Sequence, residues 1–188
     1  MWLGYSWSRE RKERFLLRHD LKKILTTYNS TWPSVFLVDS ALELPPANYV
    51  GVFDNLDLVR QYVTQEWKNA WRTCWEIAVT VFVEDEQDEK ESIDPRLGPL
   101  TPAEMDPQWA LIGYDISDNF LLSGLSACGY DLDSVHELRE KWAPHLNEYH
   151  LFEDVERAFE FKKFTDKRAR VHAPFYVYGL YLIKKHTD

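Results

Sequence analysis

Residues 109–130 read WALIGYDISDNFLLSGLSACGY, and the reading of this stretch decides the fold. Its opening six residues are apolar or small up to Asp115, as in a strand. Ser117 or Asp118 can cap a following helix, which would carry Phe120, Leu121, Leu122 and Leu125. Gly129 is a natural left-handed stop. Four of the seven glycines, Gly98, Gly113, Gly124 and Gly129, lie in this stretch or just before it. Polar sequence flanks it on both sides, so a nearly uncharged strand, turn and helix are expected to form the middle of a core.

Toward the C-terminus, Ser134 and Glu137 have the spacing of a capping box and open a helix with Val135, Leu138 and Trp142 inward. Pro144 closes it. A further helix is expected over residues 152–164. Glu153, Asp154 and Glu156 stand in its first turns and Lys162 and Lys163 near its end, which matches the helix dipole. Residues 175–183, FYVYGLYLI, are apolar at nearly every position. That pattern suits a central strand covered on both faces.

Toward the N-terminus the character changes at residues 84–107. The segment opens with EDEQDEKE, six acids and one Lys in eight residues, and continues through Pro95, Pro99, Pro102 and Pro107. It has no apolar period and is expected to be an exposed loop, long enough to be either functional or disordered. Before it, Ile77, Val79, Val81 and Val83 alternate with Ala78, Thr80 and Phe82, a strand pattern. Upstream again, Asp54 or Asn55 caps a helix with Leu56, Val59, Val63, Ala70 and Cys74 on its inner stripe. Trp67, Trp71 and Trp75 recur every fourth residue along one side of that helix, as core or as a partner surface. Residues 35–38 and 49–53 read as short strands. Residues 8–28 read as an amphipathic helix, with Leu17, Leu21, Ile24, Leu25 and Tyr28 on one face and basic residues mostly on the others.

These elements give one α+β domain over residues 1–188, with the acidic, Pro-rich loop at 84–107. A central, mostly antiparallel sheet of about five strands is expected, packed by about five helices. The order lacks the regular βαβ alternation of a doubly wound sheet.

At 188 residues with 15% aromatics the chain can bury a substantial core, and its composition is not that of a disordered protein. No apolar run approaches the roughly 20 residues of a membrane span, so no membrane partner is expected. The N-terminal sequence places its charges after a very short apolar patch, the reverse of a signal peptide, so the expected location is cytoplasmic. Cys74 and Cys128 are then expected to be reduced and unbonded. The net charge of -9 is uneven: residues 1–33 carry seven Lys/Arg against three acids, residues 34–133 five against nineteen, and residues 134–188 ten against nine. A field of this sign repels nucleic-acid phosphates and attracts basic partners. The sequence carries no indication of oligomeric state.

No catalytic motif is present. The segment from Gly124 to Gly129 lacks the lysine of a phosphate-binding loop, and Ser126 lacks the second glycine of a nucleophile elbow. Cys128 reads as a small buried thiol, with a nucleophile as the alternative. The histidines lack the i, i+4 spacing of a zinc site, and His145 and His150 read as hydrogen-bonded loop residues around Asn147, Glu148 and Tyr149. Asp115, Asp118, Asp131 and Asp133 bracket the central helix. They read as caps and turn residues, the alternative being a carboxylate site for acid–base chemistry. No cofactor and no metal are expected. The partner-binding candidates are the acids of the run, Glu84, Asp85, Glu86, Asp88, Glu89, Glu91 and Asp94, where charge complementary to a cationic partner speeds encounter. Two alternatives stay open: an enzyme using Asp115, Asp118 and Asp131 or Cys128, and a regulatory protein whose contact surface is the basic N-terminal helix.

In size, acidity and lack of a catalytic set, and in the stretches 113–130 and 172–183, the chain resembles the bacterial immunity proteins of polymorphic and contact-dependent toxin systems. The resemblance implies a small non-enzymatic binding protein that neutralises a toxin domain, usually a basic nuclease. No family-defining motif stands in this sequence, so no functional residue carries over, and the folds of such families differ widely.

Overall fold

The computed structural model describes residues 2–9, 56–57, 60, 74–84, 105–118, 123–130 and 136–185. Their centre is an antiparallel sheet of four strands: β1 (Trp2–Arg9), β2 (Cys74–Phe82), β3 (Ala110–Asp118) and β4 (Phe175–Lys185). The spatial order is β1-β2-β4-β3. The C-terminal strand therefore lies between β2 and β3, with both backbone edges paired. This position explains why FYVYGLYLI is apolar throughout: Phe175 to Leu180 are all buried, so neither face of that part of β4 has room for a charge.

The helices are α1 (Gly124–Ala127), α2 (His136–Trp142) and α3 (Val155–Arg168), with a 3-10 turn at Ala143–His145 between the last two. Leu56, Asp57 and Arg60 are also helical. In α3, Asp154 is the N-cap, its carboxylate accepting from the Arg157 amide at 2.9 Å. The buried side of α3 carries Ala158, Phe159, Phe161 and Thr165. These pack with Tyr114, Ile116, Tyr130, Trp142, Phe152, Phe175 and Val177. Trp142 meets Phe161 edge-on at 5.0 Å, and Phe152 lies 5.0 Å from the same ring. Burying a residue such as Phe161 contributes about 1.5–3 kcal/mol. On the opposite side of the sheet Trp75, Ile77, Val79, Val81, Tyr176, Tyr178 and Leu180 form a second buried cluster.

Two glycines mark places where backbones or rings press close. A Cβ on Gly179 would stand 2.5 Å from the ring of Phe82, so this β4 position accepts an aromatic side chain from β2 in place of its own. Gly113 has φ +154° and sits at a bulge in β3, where a Cβ would lie 2.7 Å from that of Leu151. The loop carrying Leu151 folds along the outer edge of β3. Tyr114 and Phe152 exchange both backbone hydrogen bonds at 2.9 Å. Asn147 holds the loop: its Nδ2 donates to the Ile112 carbonyl at 2.7 Å, and its Oδ1 accepts from the Tyr149 and Leu151 amides. This free edge of the sheet is thereby covered.

The described residues are α+β in character, but the expected architecture of five strands and about five helices is not what forms. Four strands and three short-to-medium helices are described, and several boundaries differ for physical reasons. Ser8 and Arg9 belong to β1 instead of opening a helix. In WLGYSWS the aromatics Tyr5 and Trp7 alternate with small residues, a two-residue period that favours a strand. Cys74 and Trp75 begin β2 instead of ending a helix. Trp75 pairs with Ser8 and Lys185, so sheet pairing outweighs its fit to the tryptophan stripe. β3 runs on through Asp118, because pairing with Phe175 and Tyr176 satisfies the backbone where a turn and cap were expected. The expected strands at 35–38 and 49–53, the body of the N-terminal helix, and Trp67 and Trp71 lie outside the described residues.

Candidate functional site

The acidic run begins where β2 leaves the sheet. Val83 is half-buried and Glu84, the next residue, is exposed. The Glu84 carboxylate accepts from Lys163 Nζ of α3 at 2.7 Å, with both side chains open to solvent. The run is thus rooted beside a helix, at the surface, one residue past the core. Asp85, Glu86, Asp88, Glu89, Glu91 and Asp94 lie outside the described residues. At the far end of the same segment Asp106 closes a turn, accepting from Gln108 through its side chain at 2.9 Å and from Trp109 through its carbonyl at 3.0 Å.

The carboxylates of the central stretch are placed differently from the expected turn and cap positions. Asp115 and Asp118 are strand residues, and both are buried. Side chains three apart on a strand point to opposite faces, so the two do not converge. Asp115 stands opposite Tyr178 and Ser117 opposite Tyr176, which puts all four on one face. Ser117 Oγ donates to Asp115 Oδ2 at 3.2 Å. On the other face Asp118 Oδ2 lies 3.5 Å from Nδ1 of His172, in the turn after α3. Asp131 and Asp133 lie outside the described residues.

Cys128 is a buried thiol outside any disulfide, and its Sγ donates to the Leu125 carbonyl at 3.3 Å. Gly129 follows with φ +83°, the left-handed stop its position called for. The turn is gripped from outside by two guanidinium groups. Arg168 Nε donates to the Cys128 carbonyl at 2.8 Å and Arg139 Nε to the Tyr130 carbonyl at 3.0 Å. Burial pushes the Tyr130 phenol above its ordinary range, with the Arg139 charge acting against that shift. Burial also raises Tyr114. Among the described residues no group of three His, Cys, Asp or Glu side chains is arranged to hold a metal ion.

Sequence reasoning missed Glu76. It is 0% exposed in the middle of β2, and Arg60 reaches it with two hydrogen bonds, Nε to Oε1 at 3.1 Å and Nη2 to Oε2 at 2.8 Å. The bond to Glu76 is the main reason the Arg60 guanidinium is held above its ordinary range. The signal was a lone acid inside the apolar alternation that starts at Trp75. In a strand that buries its neighbours, such an acid requires a cation.

Comparison with family models, with curated proteins and with solved structures finds no match to this chain. Among the described residues no helix is long and apolar enough to cross a membrane.

Proposed function

We propose that this chain is an acidic, cytoplasmic binding protein that docks on a cationic protein partner, and that the partner is a toxin domain it neutralises. The observation that carries the reading is where the acids stand. Those inside the sheet are engaged: Glu76 by Arg60, Asp115 by Ser117, Asp118 beside His172. The acidic run starts instead at an exposed carboxylate that pairs with the exposed Lys163. Exposed pairs of this kind contribute about 0–1 kcal/mol, so exchanging Lys163 for a partner's cation costs the fold little. Six acids and one Lys in eight residues repel one another until a basic surface relieves them. The overall charge of -9 supports the same reading.

The enzyme reading would need Asp115, Asp118 and Asp131 to converge on one substrate, or Cys128 to act as a nucleophile. The strand alternation that separates Asp115 from Asp118, and the Cys128 thiol turned to its own turn's carbonyl, favour the binding reading instead.

Survival is the test. The chain would be co-expressed with candidate basic toxin domains. The parent is expected to restore growth. A variant with Glu84, Asp85, Glu86, Asp88, Glu89 and Glu91 changed to Gln or Asn is expected to restore little. Equal protection by both would remove the acidic run from the mechanism.

A further inference from the structure

Eight of the described cations of this acidic protein fall into two groups; Arg139, on the Tyr130 carbonyl, and Lys184, in β4, are set aside. Arg60, Arg157, Lys162 and Lys163 each hold a carboxylate, on Glu76, Glu160, Asp166 and Glu84 respectively. Lys141, Lys167, Arg168 and Arg170 are exposed and hold none among the described residues. These four gather at the C-terminal ends of α2 and α3. Lys141 Nζ and the Arg168 guanidinium both lie within 6 Å of the Phe164 ring, at 5.6 and 5.9 Å. Lys141 also stands 4.6 Å over Trp142, whose buried Nε1 has no hydrogen-bond acceptor. Arg168 is anchored by its Nε on the Cys128 carbonyl, which leaves both terminal nitrogens of its fork available. Arg170 Nε is tied to the Lys167 carbonyl at 3.3 Å.

Cations in a last turn complement the helix dipole, and that accounts for charge at each helix end. It does not account for Arg170, which lies beyond α3, or for two helix ends meeting on one partly exposed ring. We infer that this face is a second contact surface, separate from the acidic run, that receives an acidic peptide segment of a protein partner. The cations come from the ends of two helices and from Arg170 beyond α3. A ligand with several carboxylates matches four such cations in charge better than a single phosphate does. The net charge of -9 opposes any anion at long range, and a long polynucleotide more than a short acidic segment, which carries fewer charges.

The inference goes beyond the proposed docking of the acidic run and stands or falls separately from it. The test uses the full chain and a fluorescein-labelled peptide of alternating Glu and Leu, with inorganic phosphate and a single-stranded oligonucleotide as the other arms. At low salt, Lys141→Gln with Arg168→Gln should weaken peptide binding about 10-fold. Arg157→Gln, which removes a paired cation of the same helix, should leave it unchanged. The Trp142 indole N–H resonance should shift on addition of the peptide and not of phosphate. Because Arg168 also supports the turn at Cys128, Lys167→Gln with Arg170→Gln serves as the independent variant, expected to weaken binding several-fold at unchanged Tm. Equal peptide binding by parent and both double variants would overturn the inference, as would tighter binding of the oligonucleotide than of the peptide.

Discussion

Glu76 and Glu84 belong to the same stretch of chain, eight residues apart, and face opposite circumstances. Glu76 is sealed in the sheet, with Arg60 forked on both its oxygens. Glu84 stands past the end of β2, exposed, and pairs with the exposed Lys163. Removing a buried carboxylate's partner leaves a charge in a medium that cannot solvate it. An exposed pair can be broken and remade against water at almost no cost. The same functional group is therefore part of the fold at one position and available to a partner at the other. That difference is the basis for assigning the acidic run, and not the sheet acids, to binding.

The sharpest way to break the comparison is to put a new carboxylate where the fold has no cation for it. Val177 is fully buried in β4 among Tyr114, Ile116 and Phe161. Val177→Asp is expected to cost about 4 kcal/mol or more and to leave the chain largely unfolded, read by circular dichroism and thermal melting. A variant that melts with the parent would mean this strand does not lie at the centre of the sheet.

A smaller effect is expected from breaking the existing buried pair. Arg60→Met keeps most of the aliphatic stem and removes the charge from Glu76. Because Arg60 is itself 41% exposed, water can reach part of the site, and the loss should be about 2–3 kcal/mol in urea unfolding. A companion change, Glu76→Gln in the same background, should recover part of it. No loss on Arg60→Met would place Glu76 in the same class as Glu84.

How much of this was legible in the sequence depends on where the local signal and the tertiary outcome agree. The unbroken apolar run at the C-terminus pointed to a doubly covered strand, because nine residues rich in aromatics are short for a buried helix. The glycine after α1 was readable because it meets a backbone requirement set within one turn of chain; α3 was readable as a helix, but it spans Val155–Arg168 instead of 152–164, with Asp154 as its cap and not in its first turn. Trp75 and Asp118 were not readable. Each satisfies a plausible local pattern, a helical stripe in one case and a helix cap in the other, and in each case a partner strand far away in sequence takes the residue. The Arg60–Glu76 pair shows the same limit. The lone acid in β2 was visible, but its cation is 16 residues upstream and only the fold brings the two together. Of the candidate site, the charge run was legible as charge. That it begins at the exposed exit of a strand, beside α3, was not.

The central claim is that the acids of residues 84–91 serve a partner and not the fold. The direct measurement is the association rate of the chain with its basic partner, over a range of salt, for the parent and for the variant with Glu84, Asp85, Glu86, Asp88, Glu89 and Glu91 changed to Gln or Asn. Surface charge acts mainly on encounter, and its reach shrinks to roughly 8 Å at physiological ionic strength. The variant should melt within a degree or two of the parent, associate about 10-fold more slowly at low salt, and show a flatter dependence on salt. Equal association rates at low salt, with both proteins folded, would contradict the claim and reduce the run to a solvated connection between β2 and β3.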